Sequence, residues 1–415
     1  MPKQKGNLII GQSGGATAVI NSSLAGAVAE ALRHEEVGEI YGMLDGVQGL
    51  LQEQIIDLRA QVGTPDKLEQ LKRTPSAALG MCRYKLDEAE RERVLAVLKK
   101  YNIRYFLYAG GNDSADTCHR LDLMSREAGY ELQAIGIPKT IDNDLPEMDH
   151  CPGYGSIARY LAIAAQDSGI DTQAARLVHP IKLIEVMGRN AGWVAASTVL
   201  GKRHEEDAPH LIYTPERRLD PERFLQDVQE VYKKYGYCVA VIGETVRETG
   251  GKILGTQAAP YLVDSFGHKY YHGPANYLMG LIIKELGLTA RYDKPGTLQR
   301  MSMLFASEVD LNEAWEAGAE AARRAIGGET GLMVTLLRGQ DDEGGYKCDY
   351  GVTALENIAN TEHKMPVSFI NQAGNFVTPD FIEYALPLIG GPLPSYLKLD
   401  RLTQVTEAVK SSGLA

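Results

Sequence analysis

The sequence predicts an α/β protein with two mainly parallel sheets. Short apolar runs rich in β-branched and aromatic residues alternate with helical stretches along the chain. Strands separated by helices form βαβ units, in which neighbouring strands run parallel. Such runs occur on both sides of about residue 150, which indicates two sheets. The length of 415 residues suits roughly two or three domains.

The predicted elements follow in order along the chain. The apolar run 7–10 predicts the first strand, and glycines and a helix from about Ser22 to Arg33 come after it. The stretch 87–100 predicts an amphipathic helix, because its apolar residues face one side and its charges the other. The remaining predicted strands are 104–109, 133–138, 182–186, 237–242 and 332–337.

Composition and charge exclude several classes of function. Lys+Arg number 43 against 54 for Asp+Glu, so the net charge of −11 argues against non-specific binding to nucleic acid or a membrane surface. No apolar run approaches the ~18 residues of a membrane span, and the first residues do not resemble a signal peptide. The five cysteines include no Cys-x-x-Cys pair, as in a chain that stays reduced. We expect a cytoplasmic protein.

Glycines and polar residues follow nearly every predicted strand at once. These segments are GQSGGAT (11–17), GGNDS (110–114), KTIDND (139–144), MGRN (187–190) and Gly243–Glu244. Ligands of open α/β sheets bind outside the carboxyl ends of the strands, so these segments are expected to line one cleft. One glycine after a strand is most often only a turn, and it is the repetition that indicates a site.

The two glycine loops are candidates for phosphate binding, because glycines let the backbone approach an anion at a helix N-terminus. No Walker A ending GK[ST] and no kinase HRD or DFG element occurs, so neither of those ATP-using classes is supported. The segment 153–158 fits the loose pattern G-x-G-x-x-A, but prolines precede it where a dinucleotide site needs a strand. The loop 110–114 predicts a phosphate–Mg²⁺ site; alternatively, Asp113 or Ser114 only caps a helix.

The segment PKTIDND (138–144) is the most informative motif. It places two carboxylates, a lysine and a threonine at one strand end. A solvated turn is the alternative interpretation. Phosphoryl transfer from a polyanion to a hydroxyl needs this set, however: one carboxylate accepts the hydroxyl proton, another holds metal, and a cation neutralises the transferring group.

These motifs, in this order, resemble the signature of the phosphofructokinase family. TIDND and MGR stand about 45 residues apart. The other matching segments are Ser13–Gly15 with Asn21, LGMCRY (79–84), GGNDS, EVMGR (185–189), Gly243–Glu244, DSFGH (264–268) and GTLQR (296–300). The resemblance covers most of the chain. It implies two Rossmann-like lobes with the active site in the cleft between them.

The resemblance is to the members of that family that use inorganic diphosphate. Those members typically carry an aspartate in place of the second-position glycine of GGDG, and a lysine before TIDND, as Asp113 and Lys139 stand here. The Asp113 carboxylate would fill the space of a nucleotide α-phosphate, and Lys139 would supply charge in the transition state. The implied reaction is reversible transfer from diphosphate to fructose 6-phosphate. An ATP-dependent phosphofructokinase and a non-catalytic regulatory subunit or sugar-phosphate sensor are the alternatives.

The resemblance also implies roles for individual residues. The catalytic residues would be Asp142, as general base on the sugar 1-hydroxyl, with Lys139 and Asp113. The substrate-binding residues would be Gly14, Arg83, Thr140, Met187, Gly188, Arg189, Glu244 and Arg300. Asn112 and Asp144 would hold Mg²⁺, although the family usually has aspartate where Asn112 stands, and an amide oxygen carries no charge.

The implied lobes are interleaved. The phosphoryl-donor lobe would be 1–152 plus about 300–365, and the sugar-phosphate lobe 153–299 plus about 366–415. Family members are dimers or tetramers, so we expect a homodimer or homotetramer that binds diphosphate and fructose 6-phosphate, but no nucleic acid and no membrane. Another acceptor, such as sedoheptulose 7-phosphate, stays open.

Overall fold

A computed structural model describes residues 5–82, 84, 86–256, 260–263 and 269–399. The strands are β1 (Gly6–Gln12), β2 (Val37–Met43), β3 (Ile55–Asp57), β4 (Ile103–Gly110), β5 (Gln133–Pro138), β6 (Ile181–Val186), β7 (Leu211–Tyr213), β8 (Cys238–Gly243), β9 (Leu262–Val263), β10 (Lys269–Tyr270), β11 (Ala290–Asp293), β12 (Leu332–Gln340) and β13 (Tyr346–Ala354). The helices are α1 (Ile20–Ala31), α2 (Gly46–Leu51), α3 (Leu58–Val62), α4 (Pro65–Lys72), α5 (Arg91–Lys100), α6 (Asn112–Glu127), α7 (Tyr154–Ala174), α8 (Trp193–Ser197), α9 (Pro221–Tyr235), α10 (Pro274–Leu281), α11 (Leu298–Met301), α12 (Glu308–Ile326), α13 (Leu355–Ile358) and α14 (Pro379–Ala385).

The larger sheet has the strand order β13-β12-β5-β4-β1-β2-β3 within the described residues. Its strands pair in parallel from β12 to β2, and only the edge strands β13 and β3 are antiparallel to their neighbours. Side chains of β1 alternate between two cores: Leu8 and Ile10 lie on one face, and Ile9 on the other. Both faces are therefore buried, as a sheet of βαβ units requires.

Helices α1 and α12 cover one face of the larger sheet at close range. A Cβ at Gly26 would lie 2.0 Å from the carbonyl oxygen of Trp315, and one at Gly318 would lie 1.9 Å from that of Ser23. Only glycine lets the two helix backbones approach this closely. Helices α5 and α6 lie on the opposite face, where Leu98 and Leu121 share a core with Phe106 of β4.

The smaller sheet has the strand order β11-β6-β8-β7 among the described residues, and all its pairs are parallel. Val239 and Val241 of β8 face a core shared with α7, α8 and α14. Ala240 and Ile242 face a second core with α9 and α10. The predicted α/β class with two mainly parallel sheets is thus confirmed.

The two sheets are joined by a buried contact between helix N-termini. The Asp310 carboxylate in the first turn of α12 accepts hydrogen bonds from the backbone N–H groups of Gly153, at 2.9 Å, and Ser156, at 2.8 Å. Both N–H groups lie at the N-terminus of α7, which packs on the smaller sheet, whereas α12 packs on the larger sheet. A side chain of α12 therefore caps α7 and connects the two sheets. The residue bounds predicted for the two lobes stay a prediction.

Two predicted helices differ in detail from the structure. The predicted helix 22–33 begins and ends two residues earlier, as α1. The predicted helix 87–100 starts with a 3₁₀ turn, Glu88–Glu90, because Asp87 and Glu90 form a capping box there. No helix within the described ranges is both long and apolar enough to cross a membrane.

Candidate active site

The carboxyl ends of β1, β4, β5, β6 and β8 open onto one cavity of about 330 Å³. Its lining residues are Gly14, Gly15, Ala16, Gly111, Asn112, Asp113, Ser114, Lys139, Thr140, Ile141, Asp142, Asp144, Met187, Arg189, Glu244 and Arg300. All but two of the predicted site residues are among them. Gly188 lies between two lining residues in the chain, and Arg83 falls outside the described residues, as does the segment 264–268.

The loop after β5 carries a buried carboxylate with the properties of a general base. The Asp142 residue is 8 % exposed, and its backbone N–H donates to Thr140 Oγ1 at 3.0 Å. Burial, together with the neighbouring Asp144 carboxylate, raises the pKa of Asp142 to about 7, against the opposing charge of Arg189. Arg189 Nε lies 3.7 Å from Asp142 Oδ2. Near neutral pH this group can both accept and return a proton.

Lys139 brings an ammonium group to the glycine loop after β1. Its Nζ donates to the carbonyl oxygen of Gly15 at 2.7 Å, and burial lowers its pKa to about 8. The charges of Arg300 and Arg189 lower that pKa too, while Asp142 opposes them. A Cβ at Gly14, where φ is +72°, would lie 3.2 Å from Lys139 Nζ. The backbone here leaves open space beside a cation, as phosphate binding requires.

Asp113 stands between the cleft and a second cavity. Helix α6 has Gly111 as its N-cap and no side-chain capping bond, so Asp113 and Ser114 do not serve as its cap. Asp113 lines the main cleft and also a cavity of about 260 Å³ beside Tyr84 and Thr117. The two cavities also share Gly14, Gly15, Ser114 and Arg189, so they adjoin at this carboxylate.

Asn112 has a partner that explains why it is not an aspartate. Its Nδ2 donates to the carbonyl oxygen of Thr361 at 2.7 Å. A carboxylate has no hydrogen to donate and would repel that oxygen. The amide nitrogen is thus engaged, and the amide oxygen is the atom that can ligate a cation.

The loops after β6 and β8 hold each other in an unusual backbone conformation. Gly188 has a φ of +131° and Arg189 a φ of +47°. The Arg189 backbone N–H donates to Glu244 Oε1 at 3.2 Å, which fixes both groups at the cleft wall. Burial raises the pKa of Glu244. The site therefore stores backbone strain where the guanidinium of Arg189 enters it.

The structure also brings in residues that the sequence motifs did not indicate. The backbone of Met187 donates to Gln299 Oε1 at 3.2 Å, and Gln299 is buried. A segment of the chain that we call the crossing segment, Thr361–Met365, runs from Asn112 to Glu216. Within it the His363 N–H donates to the Asp144 carbonyl oxygen at 2.7 Å. Gln299 had a signal, its place beside Arg300 in GTLQR, whereas the crossing segment had none.

Glu216 anchors the far end of the crossing segment. Its Oε1 accepts hydrogen bonds from the N–H groups of Gly192, at 2.7 Å, and Met365, at 3.1 Å. Asn190 Nδ2 contacts both carboxylate oxygens of Glu362 at 3.2 Å. The crossing segment therefore joins the start of α6, at Asn112, to the loop that follows Arg189.

The arrangement combines a buried near-neutral carboxylate, cations over a glycine loop and oxygen groups suited to a hard cation. Two α/β lobes with this cleft between them define a phosphotransferase. The family model described as phosphofructokinase matches residues 7–324, and the chain belongs to the phosphofructokinase family.

Similar proteins cover nearly the whole chain. A pyrophosphate–fructose 6-phosphate 1-phosphotransferase of Rhodospirillum rubrum is 40% identical over 95% of this chain and 97% of its own. One of Methylococcus capsulatus is 36% identical over 95% of this chain and 96% of its own. The crystal structure of a pyrophosphate-dependent phosphofructokinase from Nitrosospira multiformis aligns with a TM-score of 0.82 at 36% identity, covering 94% of each chain.

Proposed function

We propose that this protein catalyses the reversible reaction diphosphate + D-fructose 6-phosphate ⇌ phosphate + D-fructose 1,6-bisphosphate. The observation that carries the proposal is the convergence of Asp113, Lys139 and Asp142 on one cleft. The relatives at 36–40% identity carry the same activity in their names. The free energies of the phosphate ester that is formed and the anhydride that is consumed are closer with diphosphate than with ATP as donor. The reaction therefore runs in both the glycolytic and the gluconeogenic direction.

In the mechanism that we propose, Asp142 accepts the proton of the sugar 1-hydroxyl. That oxygen then forms a bond to the nearer phosphorus of diphosphate, and the bond from this phosphorus to the bridging oxygen breaks. Lys139 neutralises the charge that develops on the transferring group and on the departing phosphate. In the reverse direction Asp142 returns the proton to the sugar oxygen. The near-neutral pKa of Asp142 suits both directions.

The sugar phosphate would be held by residues from the second sheet and α11. We assign its hydroxyls to Glu244 and its ring to Met187 and Gly188. Arg189 would contact the sugar beside Asp142, and Arg300 would bind the 6-phosphate, since a guanidinium fork matches a phosphate dianion. Arg83, which lies outside the described residues, is assigned to substrate binding by the family resemblance alone.

Enzymes of this family generally use Mg²⁺. Asp144 and Asn112 are the residues that we propose to hold it here, because both offer oxygen ligands at the donor side of the cleft. Burial raises the pKa of Asp144, so its carboxylate gains from a nearby cation, and the Asn112 nitrogen is already engaged. When bound, the ion neutralises diphosphate oxygens and orients the donor.

The test is a coupled assay with fructose 6-phosphate and Mg²⁺ that compares diphosphate with ATP as donor. We expect turnover with diphosphate alone. Turnover with ATP alone would mean that the cleft admits an α-phosphate despite Asp113, and that the ATP-dependent alternative is right. Activity with neither donor would favour a regulatory subunit or another acceptor, and sedoheptulose 7-phosphate is the acceptor to try next.

We also propose that the protein is a cytoplasmic homodimer or homotetramer. Leu177, 92 % exposed, and Val178, 64 % exposed, are consecutive apolar residues on the surface after α7. Such side chains are typical of a subunit interface. Light scattering on the purified protein measures the oligomeric state, and a monomer at micromolar concentration would contradict this part of the proposal.

A further inference from the structure

Asn143, the residue between the Asp142 and Asp144 carboxylates, adopts a left-handed backbone and has a buried side chain. Asn143 has a φ of +55° and is 2 % exposed. Its Oδ1 accepts a hydrogen bond from the Cys151 N–H at 2.8 Å, which closes the loop behind Asp142 and Asp144. The orientation of both carboxylates therefore depends on how firmly the Asn143 amide is held.

The other end of the Asn143 amide is held by a residue far away in the chain. Asn143 Nδ2 donates to the hydroxyl oxygen of Tyr384, in α14, at 2.9 Å. The Tyr384 hydroxyl in turn donates to the Asp149 carbonyl oxygen at 2.7 Å. The Tyr384 hydroxyl thus connects Asn143 and Asp149, two residues of the loop between β5 and α7.

The Tyr384 ring has little freedom to move. Its centroid lies 5.2 Å from that of Trp193 and 5.7 Å from that of Phe369. The Arg338 guanidinium lies 4.8 Å from the ring centroid and donates to the Tyr384 carbonyl oxygen at 2.9 Å. The same guanidinium makes two hydrogen bonds of 3.0 Å to the Asp149 carboxylate. The hydroxyl is therefore preorganised by packing and by charge.

We propose that Tyr384 is a positioning residue for phosphoryl transfer, whose hydroxyl acts through Asn143 to hold the Asp142 and Asp144 carboxylates in their reactive orientation. Tyr384 does not line the cleft itself. The inference rests on the proposed function, because its expected effect is on the rate of phosphoryl transfer. A small misplacement of the general base lowers that rate by a large factor. It gives the C-terminal part of the chain a role in a site whose lining residues all precede residue 301.

The first test compares Tyr384→Phe with Tyr346→Phe as a matched control. Phenylalanine keeps the ring packing and removes the hydroxyl alone. Tyr346 also donates a partly buried hydrogen bond, 2.6 Å to Glu313 Oε1, and its hydroxyl contacts Glu313 and His150 rather than Asn143. We expect Tyr384→Phe to lower kcat roughly tenfold with KM for both substrates within about twofold, and Tyr346→Phe to leave kcat within about twofold. Equal losses of kcat in the two variants would overturn the proposal.

A double-mutant cycle tests whether Tyr384 acts through Asn143. The change Asn143→Gly removes the amide and tolerates the left-handed backbone. In that background Tyr384→Phe should cause no further loss of kcat, because its route to the carboxylates is gone. Full additivity of the two losses would contradict the inference.

A second measurement keeps the inference separate from the proposed reaction. The Cys151 amide is protected by Asn143, so its hydrogen exchange reports the loop without any turnover. We expect exchange at least about tenfold faster in Tyr384→Phe than in Tyr346→Phe. Unchanged exchange would refute the positioning role even in an active enzyme. Faster exchange in a protein inactive with diphosphate would support the role and refute only the proposed function.

Discussion

The substitution Asp142→Asn should stabilise the substrate-free protein while abolishing turnover. Burial holds the pKa of Asp142 near 7 in the folded state, against an ordinary value of 3.8. Between these two pH values the folded state binds more protons than the unfolded state, so wild-type stability falls as pH rises through this window. Asparagine carries no charge and removes that loss.

The size of the effect follows from the two pKa values. Each pH unit between them costs the wild-type protein about 1.4 kcal/mol. The gain in unfolding free energy for Asp142→Asn should therefore be about 1.5 kcal/mol at pH 5 and approach a ceiling of about 4 kcal/mol at pH 8. The dependence on pH, rather than either value alone, identifies the buried carboxylate as the cause.

Urea denaturation at pH 5 and pH 8 measures both gains. Asp342→Asn is the control, because Asp342 is exposed in the turn between β12 and β13. It should change stability by less than about 0.5 kcal/mol at either pH. If Asp142→Asn gave the same change at both pH values, or destabilised the protein at pH 8, the argument that burial disfavours the Asp142 charge would be refuted.

Four further predictions concern the cleft. Lys139→Met should lower kcat at least about 100-fold in the coupled assay while calorimetry still detects fructose 6-phosphate binding; an active variant would remove Lys139 from the mechanism. The kcat/KM profile should rise with pH toward about 7 as Asp142 loses its proton and fall above about 8 as Lys139 loses its own, so a flat profile from pH 5 to 10 would contradict both assignments. Asp113→Gly should raise the ratio of ATP to diphosphate kcat/KM at least about tenfold by opening the way to the second cavity; an unchanged ratio would mean that Asp113 does not select the donor. Asn112→Asp should cost about 0.5–1 kcal/mol of stability in urea denaturation, because an exposed hydrogen bond is lost and two acceptors would face each other at the Thr361 carbonyl, and no loss would mean that this bond contributes little.

Much of the fold could be predicted from local pattern. The strand 133–138 was predicted to the residue, and the other predicted strands lie within the observed ones apart from Tyr237 at one start. Apolar β-rich runs are read from a few neighbouring residues, so this information is local. The gathering of the glycine loops could be predicted as well, because the carboxyl ends of parallel strands meet at one edge.

The contacts that hold the site together could not be predicted in this way. Asn112 meets Thr361 and Asn143 meets Tyr384 across more than 200 residues of chain. No periodicity or motif spacing specifies such pairs. The crossing segment also has no distinctive composition, and its place at the cleft follows from how β13 and α13 deliver it.

The sequence by itself determined which chemical groups enter the cleft: four carboxylates, a lysine, arginines and glycine loops at the ends of parallel strands. The tertiary structure decided how those groups behave. Asp142 and Lys139 acquire near-neutral pKa values because many residues from both lobes exclude water from them. Desolvation is a collective property of packing, and no single residue or motif encodes it.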